Sequence, residues 1–405
     1  MNLQEIFSLK NLIKAHHRAR LDKRWKKDVC AFDVDRAYEL AEIENDFIRG
    51  RYKMAPYRSF FIYEPKKRKI DATSYRDRVV QTCFVDSYLM PLVRHKLIYD
   101  NAACQKKKGT DFARGRLIWF FKEAYERYGD DFYVLTYDIH HFFESIDHAV
   151  LKEKMRAIIE EDDVYDFVER MIDGYSSSSG KGLPLGNQSS QCFALYYLND
   201  MDHMIKEKYG IEWYSRYMDD GVIFCKDRKK LVSLLEEMKI ELAKLKLELN
   251  VKKTNIFHVK QGITYLGFTY HLTKDGYLHR RMAMKKRARL IKCLKSYDLC
   301  YESLLTYYYY VKFNSDDLKL LRLITPLLKV KAPPVVLEIF SRCGELPMKE
   351  GSFGAIKLRD YSTWLRVGGL SWIKKYKMRK ELAQGQPSRP CSLELMFSKC
   401  FGHFS

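Results

Sequence analysis

The chain contains no run of about 18 apolar residues, the length a membrane-spanning helix needs, and Met1 to Phe7 lack the basic-then-apolar order of a secretory leader. Neither membrane insertion nor secretion is expected. No lipid-anchor motif and no clean basic amphipathic helix is present. The ten cysteines include no Cys-x-x-Cys pair, which argues against a zinc site, and their scatter from Cys30 to Cys400 does not frame a small disulfide scaffold. They read as reduced thiols of a cytoplasmic protein. Internal repeats are also absent. With 46% hydrophobic and 31% charged residues, the 405-residue chain has the material for a large core, which sets disorder aside.

What the chain has in excess is positive charge. Lys and Arg number 72 against 52 Asp and Glu, a formal net charge of +20. Such a surface attracts a polyanion, and nucleic acid is the one that the absences above leave. Aromatic residues make up 14% of the chain and offer faces on which bases can stack, although many must be core.

Along the chain the pattern is α+β. Leu3 to Val29 reads as a basic helix and turn, Tyr57 to Ile70 as a β-hairpin with its tip at Glu64 to Lys67, and a helix follows from Ser74. Helical periodicity continues through 111–127, 148–174 and 190–208, with strand-like runs at 132–137, 213–217 and 221–225. Ser176 to Gly180 is a loop by composition and leads into Gly182-Leu-Pro-Leu-Gly-Asn-Gln188. After Gly262 come strand-like pieces at Ile263–Tyr270 and Tyr277–His279, then a basic helix over 280–295 without an acid. Four consecutive tyrosines, Tyr307 to Tyr310, cannot all face one way on a helix, so at least one is expected to be exposed. Beyond Ala332 the chain shows little periodicity, with a basic cluster from Lys374 to Lys380.

The chemistry centres on Trp213-Tyr-Ser-Arg-Tyr-Met-Asp-Asp-Gly-Val-Ile-Phe224. Asp219-Asp220-Gly221 between two strand runs is either an ordinary hairpin turn or a tip that thrusts carboxylates into a cleft, where they would hold Mg²⁺. A further carboxylate is supplied by Asp138, at the end of the strand-like run Tyr133 to Asp138. It is either a helix N-cap or the partner of the pair in a two-metal site.

With those residues in view, Tyr217-Met-Asp-Asp220 and the upstream Asp138-x-x-x-x-Phe143 resemble the palm of a reverse transcriptase. Arg76-Asp-Arg78-Val-Val-Gln, Gly182-Leu-Pro-Leu-Gly-Asn-Gln-Ser-Ser-Gln191, Leu249-Asn-Val-Lys-Lys-Thr254 and Tyr265-Leu-Gly-Phe268 follow in that family's order, from about 57 to 295. The resemblance implies a right-hand polymerase of fingers, palm and thumb. Its divisions fall at 1–130 (N-terminal helix, fingers and the start of the palm), 131–270 (palm), 271–330 (thumb) and 331–405 (an extension of unknown role). It implies RNA-directed DNA synthesis from dNTPs on an RNA template, with two Mg²⁺ ions, or Mn²⁺.

Residue by residue, the resemblance implies Asp138, Asp219 and Asp220 as metal ligands. Lys253 would protonate the pyrophosphate leaving group. Arg76, Arg78 and Lys69 would bind the triphosphate. Phe143 would lie under the sugar and exclude a 2′-hydroxyl, or else, like its neighbour Phe142, point into the core. Gln188 would press on the nascent base pair, with Tyr217 beside it. Tyr265 and Gly267 would form a primer grip, and Arg280, Arg281, Lys285 and Lys286 would track duplex phosphates.

Neither the retron elements Asn-Ala-x-x-His and Val-Thr-Gly nor a His/Cys endonuclease array is present, since Asn101-Ala-Ala-Cys ends in Gln105. The Gly186-Asn-Gln-Ser-Ser-Gln191 form is similar to that of diversity-generating retroelement enzymes and of stand-alone relatives serving antiphage defence. The defence reading is preferred, with a structured noncoding RNA as template. A diversity-generating role and a catalytically vestigial RNA-binding scaffold stay open, as does a protein partner or self-association.

Overall fold

The computed structural model describes residues 1–63, 67–175, 180–296, 299–331 and 356–357. The basic cluster at 374–380 lies outside them. Four helices open the chain: α1 (Leu3–Ile6), α2 (Leu9–Ala19), α3 (Lys27–Val34) and α4 (Arg36–Ile48). On α2, Leu12, Ala15, His16 and Ala19 recur at helical spacing and are the buried face, so its lysines and arginines are left to solvent. The expected hairpin is present as β1 (Arg58–Ile62) and β2 (Arg68–Ala72), antiparallel with Phe60 opposite Ile70. Ser74 accepts from the Asp77 amide and so starts α5 (Tyr75–Phe84), which a π-helical turn joins to α6 (Met90–Arg94).

The central sheet is built from β3 (Tyr133–Asp138), β4 (Tyr214–Tyr217), β5 (Asp220–Cys225) and β6 (Asn255–His258), in the antiparallel order β4-β5-β3-β6. Its period-two alternation separates two cores. Leu135, Tyr137, Tyr214 and Ile223 face the first, with the N-terminal helices and α8 (Phe142–Ser145), α9 (His148–Arg156), α10 (Asp162–Asp173), α11 (Gln188–Tyr197), α12 (Asn199–His203) and α13 (Arg228–Lys244). Val134, Val222 and Phe224 face the second, with α7 (Thr110–Tyr128), the strands β7 (Ile263–Tyr265), β8 (Phe268–Leu272) and β9 (Tyr277–Met282), and the helices α14 (Met284–Ser296), α15 (Tyr301–Asn314) and α16 (Leu318–Lys331). A two-residue strand, β10 (Ile356–Lys357), pairs with β9. The result is an α+β right-hand architecture. Among the described residues no helix is long and apolar enough to cross a membrane.

Three expectations change. The run 263–270 is not one strand but a hairpin, because Leu266 (φ 46°) and Gly267 (φ 82°) both turn left-handed and bring Tyr265 opposite Phe268. The basic helix begins at Met284, so Arg280 and Arg281 lie on β9. Of the tyrosine run, Tyr307 and Tyr308 are buried and Tyr309 and Tyr310 half-buried, because α15 is covered by both α16 and β9.

Candidate active site

The two readings of Asp219-Asp220-Gly221 merge. Tyr217 pairs with Asp220 across a two-residue turn, Met218-Asp219, in which Met218 takes the left-handed φ of 55°. A non-glycine residue there is strained and is retained only where its surroundings over-determine it. Asp220 begins β5 opposite Asp138, the last residue of β3. Facing residues of an antiparallel pair project from the same side of the sheet, so two strands from distant parts of the chain set two carboxylates side by side, with Asp219 at the turn.

Burial, followed by the Asp138 charge, raises Asp219 above the usual carboxylate range. Asp220 is raised strongly by burial and by the charges of Asp219 and Asp138. The segment after α13 closes the third side. Lys253 Nζ donates to Asp138 Oδ1 at 2.6 Å, and Asn250 Nδ2 donates to Oδ2 at 3.0 Å. Burial opposes the Lys253 ammonium, but its contact with Asp138 and the charges of Asp220 and Asp219 outweigh that and hold its pKa up.

Among the described residues no three His, Cys, Asp or Glu side chains are gathered closely enough to hold an ion as they stand. The donor set nevertheless fits hard divalent cations. Burial first, and then the charge of a neighbouring carboxylate, pushes Asp219 and Asp220 towards the protonated form, and a dication held beside the three carboxylates would offset both costs.

Several expected residues are brought to this centre. Phe142 is buried, whereas Phe143 is half-exposed and packs with Met218, Leu195 and Ala103 beside the turn. Tyr217 is half-buried in the same cluster. Gln188, at the first turn of α11, is not among them: its Nε2 donates to Asp86 Oδ1 at 3.0 Å, and it lines a cleft with Arg78.

Others are placed differently. Arg76 turns to the N-terminal helices, where Glu39 (3.1 Å) and Asp46 (2.9 Å) take its guanidinium, so it is not at the carboxylates. Lys69 pairs with Asp71 at 3.2 Å, and it is its neighbour Arg68 whose charge acts on Asp219. Arg78 lines a separate cleft with Arg18 and Lys23. Tyr265 is 4% exposed, its phenol raised by burial and by the Asp220 charge, so its ring supports the site from beneath and is closed to nucleic acid. Arg280 is buried on β9 beside Asp316, its amide donating to that carboxylate at 2.8 Å, so it does not track phosphates. Arg281 and Lys285 are exposed. Lys286 lies half-buried over the rings of Phe268 and Tyr310, and Gly267 leaves it room: a Cβ there would come within 2.9 Å of its Nζ.

Beneath the turn lies a polar assembly that the sequence did not announce. Arg216, fully buried, donates from Nε to Asp202 Oδ1 (2.7 Å), from Nη2 to Asp202 Oδ2 (2.6 Å) and to the Leu195 carbonyl (2.9 Å), and from Nη1 to the Met218 carbonyl (3.0 Å). Tyr214 donates to the same Asp202 at 2.6 Å, and its oxygen lies 2.6 Å from that of Tyr137. The one signal in the sequence is an arginine in the strand-like run 213–217, which, once buried, needs an acid.

A family model described as reverse transcriptase (RNA-dependent DNA polymerase) matches residues 65–270. The chain is 23% identical to Protein YkfC of Escherichia coli (strain K12), over 57% of this chain and 71% of that one. Among solved structures, apo telomerase from Candida tropicalis is 13% identical with a TM-score of 0.47, over 71% of this chain and 59% of that one. Telomerase from Candida albicans, in complex with a TWJ fragment of telomeric RNA, is 14% identical with a TM-score of 0.48, over 73% and 57%. The chain thus spans less than two thirds of the length of either telomerase.

Proposed function

The chain belongs to the reverse transcriptase (RNA-dependent DNA polymerase) family, and from that premise we propose that it extends a primer with dNTPs on an RNA template at Asp138, Asp219 and Asp220. The observation that carries this is the register pair of Asp138 and Asp220 at the tip of the strained hairpin. Divalent metal, Mg²⁺ or Mn²⁺, bound by these carboxylates would activate the attacking 3′-hydroxyl and neutralise the departing pyrophosphate. The chain's own groups do the rest. Lys253, kept protonated by Asp138, holds a proton at Nζ within reach of the leaving group. Arg68, in place of Lys69, draws the triphosphate towards Asp219. Phe143, fixed against Met218, presents a ring that disfavours a 2′-hydroxyl. Exposed Arg281 and Lys285 meet duplex phosphates.

The finer role is a structured noncoding RNA as template, in antiphage defence within the cytoplasm: the form of the 182–191 loop is common to diversity-generating and stand-alone defence enzymes, and the long stretch of sequence after about 330 that resembles neither tips the reading to defence. Cys30, Cys83, Cys104, Cys192 and Cys225, all thiols, are consistent with that compartment.

The test is primer extension by the purified chain on an RNA template with Mg²⁺ or Mn²⁺. Asp219→Asn is expected to reduce synthesis by at least a thousandfold, by analogy with the loss of an essential group that acts only in the transition state. Near-normal synthesis by a folded Asp219→Asn variant would remove the assignment.

A further inference from the structure

The segment 248–250 is bonded along its length to the end of β3 that carries Asp138. The His140 amide donates to the Glu248 carbonyl, Ile139 bridges Leu249, and the Asn250 amide donates to the Asp138 carbonyl at 2.8 Å. The Asn250 carbonyl in turn accepts from the amides of Lys253 and Thr254, both at 3.0 Å. This frame also fixes the Asn250 side chain. Its Oδ1 accepts from the Lys252 amide at 3.2 Å, which turns Nδ2, the donor, to Asp138 Oδ2 at 3.0 Å. Lys253 is held differently. Its backbone belongs to the same turn, but its side chain is 55% exposed and reaches Asp138 through Nζ on Oδ1, whereas the Asp138 carboxylate is 7% exposed. Both oxygens of Asp138 are thus taken, one by a fixed amide and the other by an ammonium on a flexible stem.

We propose that Lys253 is a displaceable counter-ion of the carboxylate centre: it yields Asp138 Oδ1 to a divalent cation, while Asn250, a positioning residue, keeps Oδ2. The proposal rests on the polymerase reading and deepens it, because it makes the freeing of Lys253 depend on the loading of the centre. Three arguments favour it. An ammonium and a dication repel one another at one oxygen, and the doubly charged ion gains more from the carboxylates that the β3–β5 register and the Met218-Asp219 turn bring together. A half-exposed ammonium regains its hydration on leaving, so the pair that breaks is a weak one. Asn250 cannot leave in its place, because its backbone is bonded to Asp138 and its Oδ1 to Lys252. Once released, the ammonium is free to meet the leaving group, so a centre without its cation keeps its acid withdrawn.

Two measurements on the full chain, made with Mn²⁺ and without nucleic acid, test this. Acetylation by N-acetoxysuccinimide, located by tandem mass spectrometry, reports whether the Lys253 amine is free, with exposed Lys252 as the internal reference. Saturating Mn²⁺ is expected to raise labelling of Lys253 by about fivefold, the factor by which an ion pair of this exposure holds the amine back, and to leave Lys252 as it was. Free Mn²⁺ is read from its electron paramagnetic resonance signal. Lys253→Met should bind the ion more tightly by the same factor of about five, because competition for one oxygen is reciprocal. In Asn250→Ala the second oxygen is released, so the ion can settle on Oδ2 with Lys253 still in place, and the labelling rise should shrink to less than about twofold. A merely structural Asn250 would leave that rise unchanged in the folded variant.

Labelling of Lys253 that stays unchanged while Mn²⁺ binds would overturn the exchange and leave the polymerase reading intact. Tighter binding by Lys253→Met without a labelling rise in wild type would overturn it too, since the ammonium would then repel the ion through space without yielding Oδ1. A rise that Asn250→Ala keeps in full would remove the part given to Asn250. Absence of Mn²⁺ binding, or binding that Asp219→Asn leaves unchanged, would overturn the exchange and the metal assignment together. Because these are binding and labelling measurements, a wild-type chain that shows the exchange but extends no primer would overturn the polymerase reading and leave the exchange standing.

Discussion

Gly221 follows Asp220, and its α-hydrogen faces the Tyr137 ring so closely that a Cβ would lie 2.1 Å from the nearest ring carbon. The ring cannot withdraw, because Tyr137 is buried on β3 and its hydroxyl is 2.6 Å from that of Tyr214. Gly221→Ala must therefore displace either β5 or the ring. A strand shift moves Asp220 out of register with Asp138. Overpacking of this kind typically costs about 1–3 kcal/mol. Chemical denaturation should show a loss of that order, and primer extension should fall by at least tenfold even where the variant is fully folded, because catalysis tolerates misplacement poorly. Unchanged extension would mean that the carboxylates do not depend on this contact. The Asp-Asp-Gly string was legible in the sequence. That its glycine serves a tyrosine ring, and not the turn, was not, because the turn is Met218-Asp219 and Gly221 lies beyond it on β5.

At the scale of elements, the β4–β5 hairpin is held from below by one buried ion pair. Arg216 bonds Asp202 of α12, the carbonyl of Leu195 on α11 and the carbonyl of strained Met218, so two helices and the turn share one guanidinium. Removing one partner of a buried pair leaves an uncompensated charge and costs about 3–5 kcal/mol, whereas removing both can be nearly neutral. Arg216→Met is expected to destabilise the chain by that amount, and Arg216→Met/Asp202→Leu by clearly less, measured by urea denaturation. In the double variant Met218 loses its carbonyl anchor, so activity should stay low although stability recovers. If activity recovered with stability, the pair would be structural only.

Element types were readable in the sequence where apolar periodicity was strong, as in β3 and β5, where alternate residues face different cores, and in α10, where Val164, Phe167, Val168, Met171 and Ile172 form one buried face. The readings missed where local charge misled. Arg280 counts as basic in the sequence but is buried on β9 by Asp316, 36 residues later, and Arg76 looks like a phosphate ligand until Glu39 and Asp46 of α4 are folded against it. Such partners are long-range and leave no local trace.

At the scale of the whole molecule, the two cores meet the central sheet from opposite faces, and the second joins the sheet to α14 and α15. Within that junction Lys286 lies 4.8 Å from the centre of the Tyr310 ring, and buried Arg114 of α7 lies 5.8 Å from it. Burial first, and then repulsion from Arg114, push the Lys286 ammonium down to about 7 from its ordinary 10.5. In the unfolded chain the amine keeps the ordinary value, so between pH 7 and 10.5 the unfolded state binds more protons than the folded one. Stability contributed by this group therefore rises with pH across that window and is smallest below pH 7, where both states are protonated and the folded one bears two neighbouring cations. Lys286→Met keeps the apolar stem and removes the titration. Thermal melts of both proteins between pH 6.5 and 9 should show the wild type gaining on the variant as pH rises, with the difference levelling off below 7. Parallel curves would mean that Lys286 is solvated and that the junction carries no titrating charge. A difference that falls with pH would mean that an acid holds its ammonium and outweighs burial.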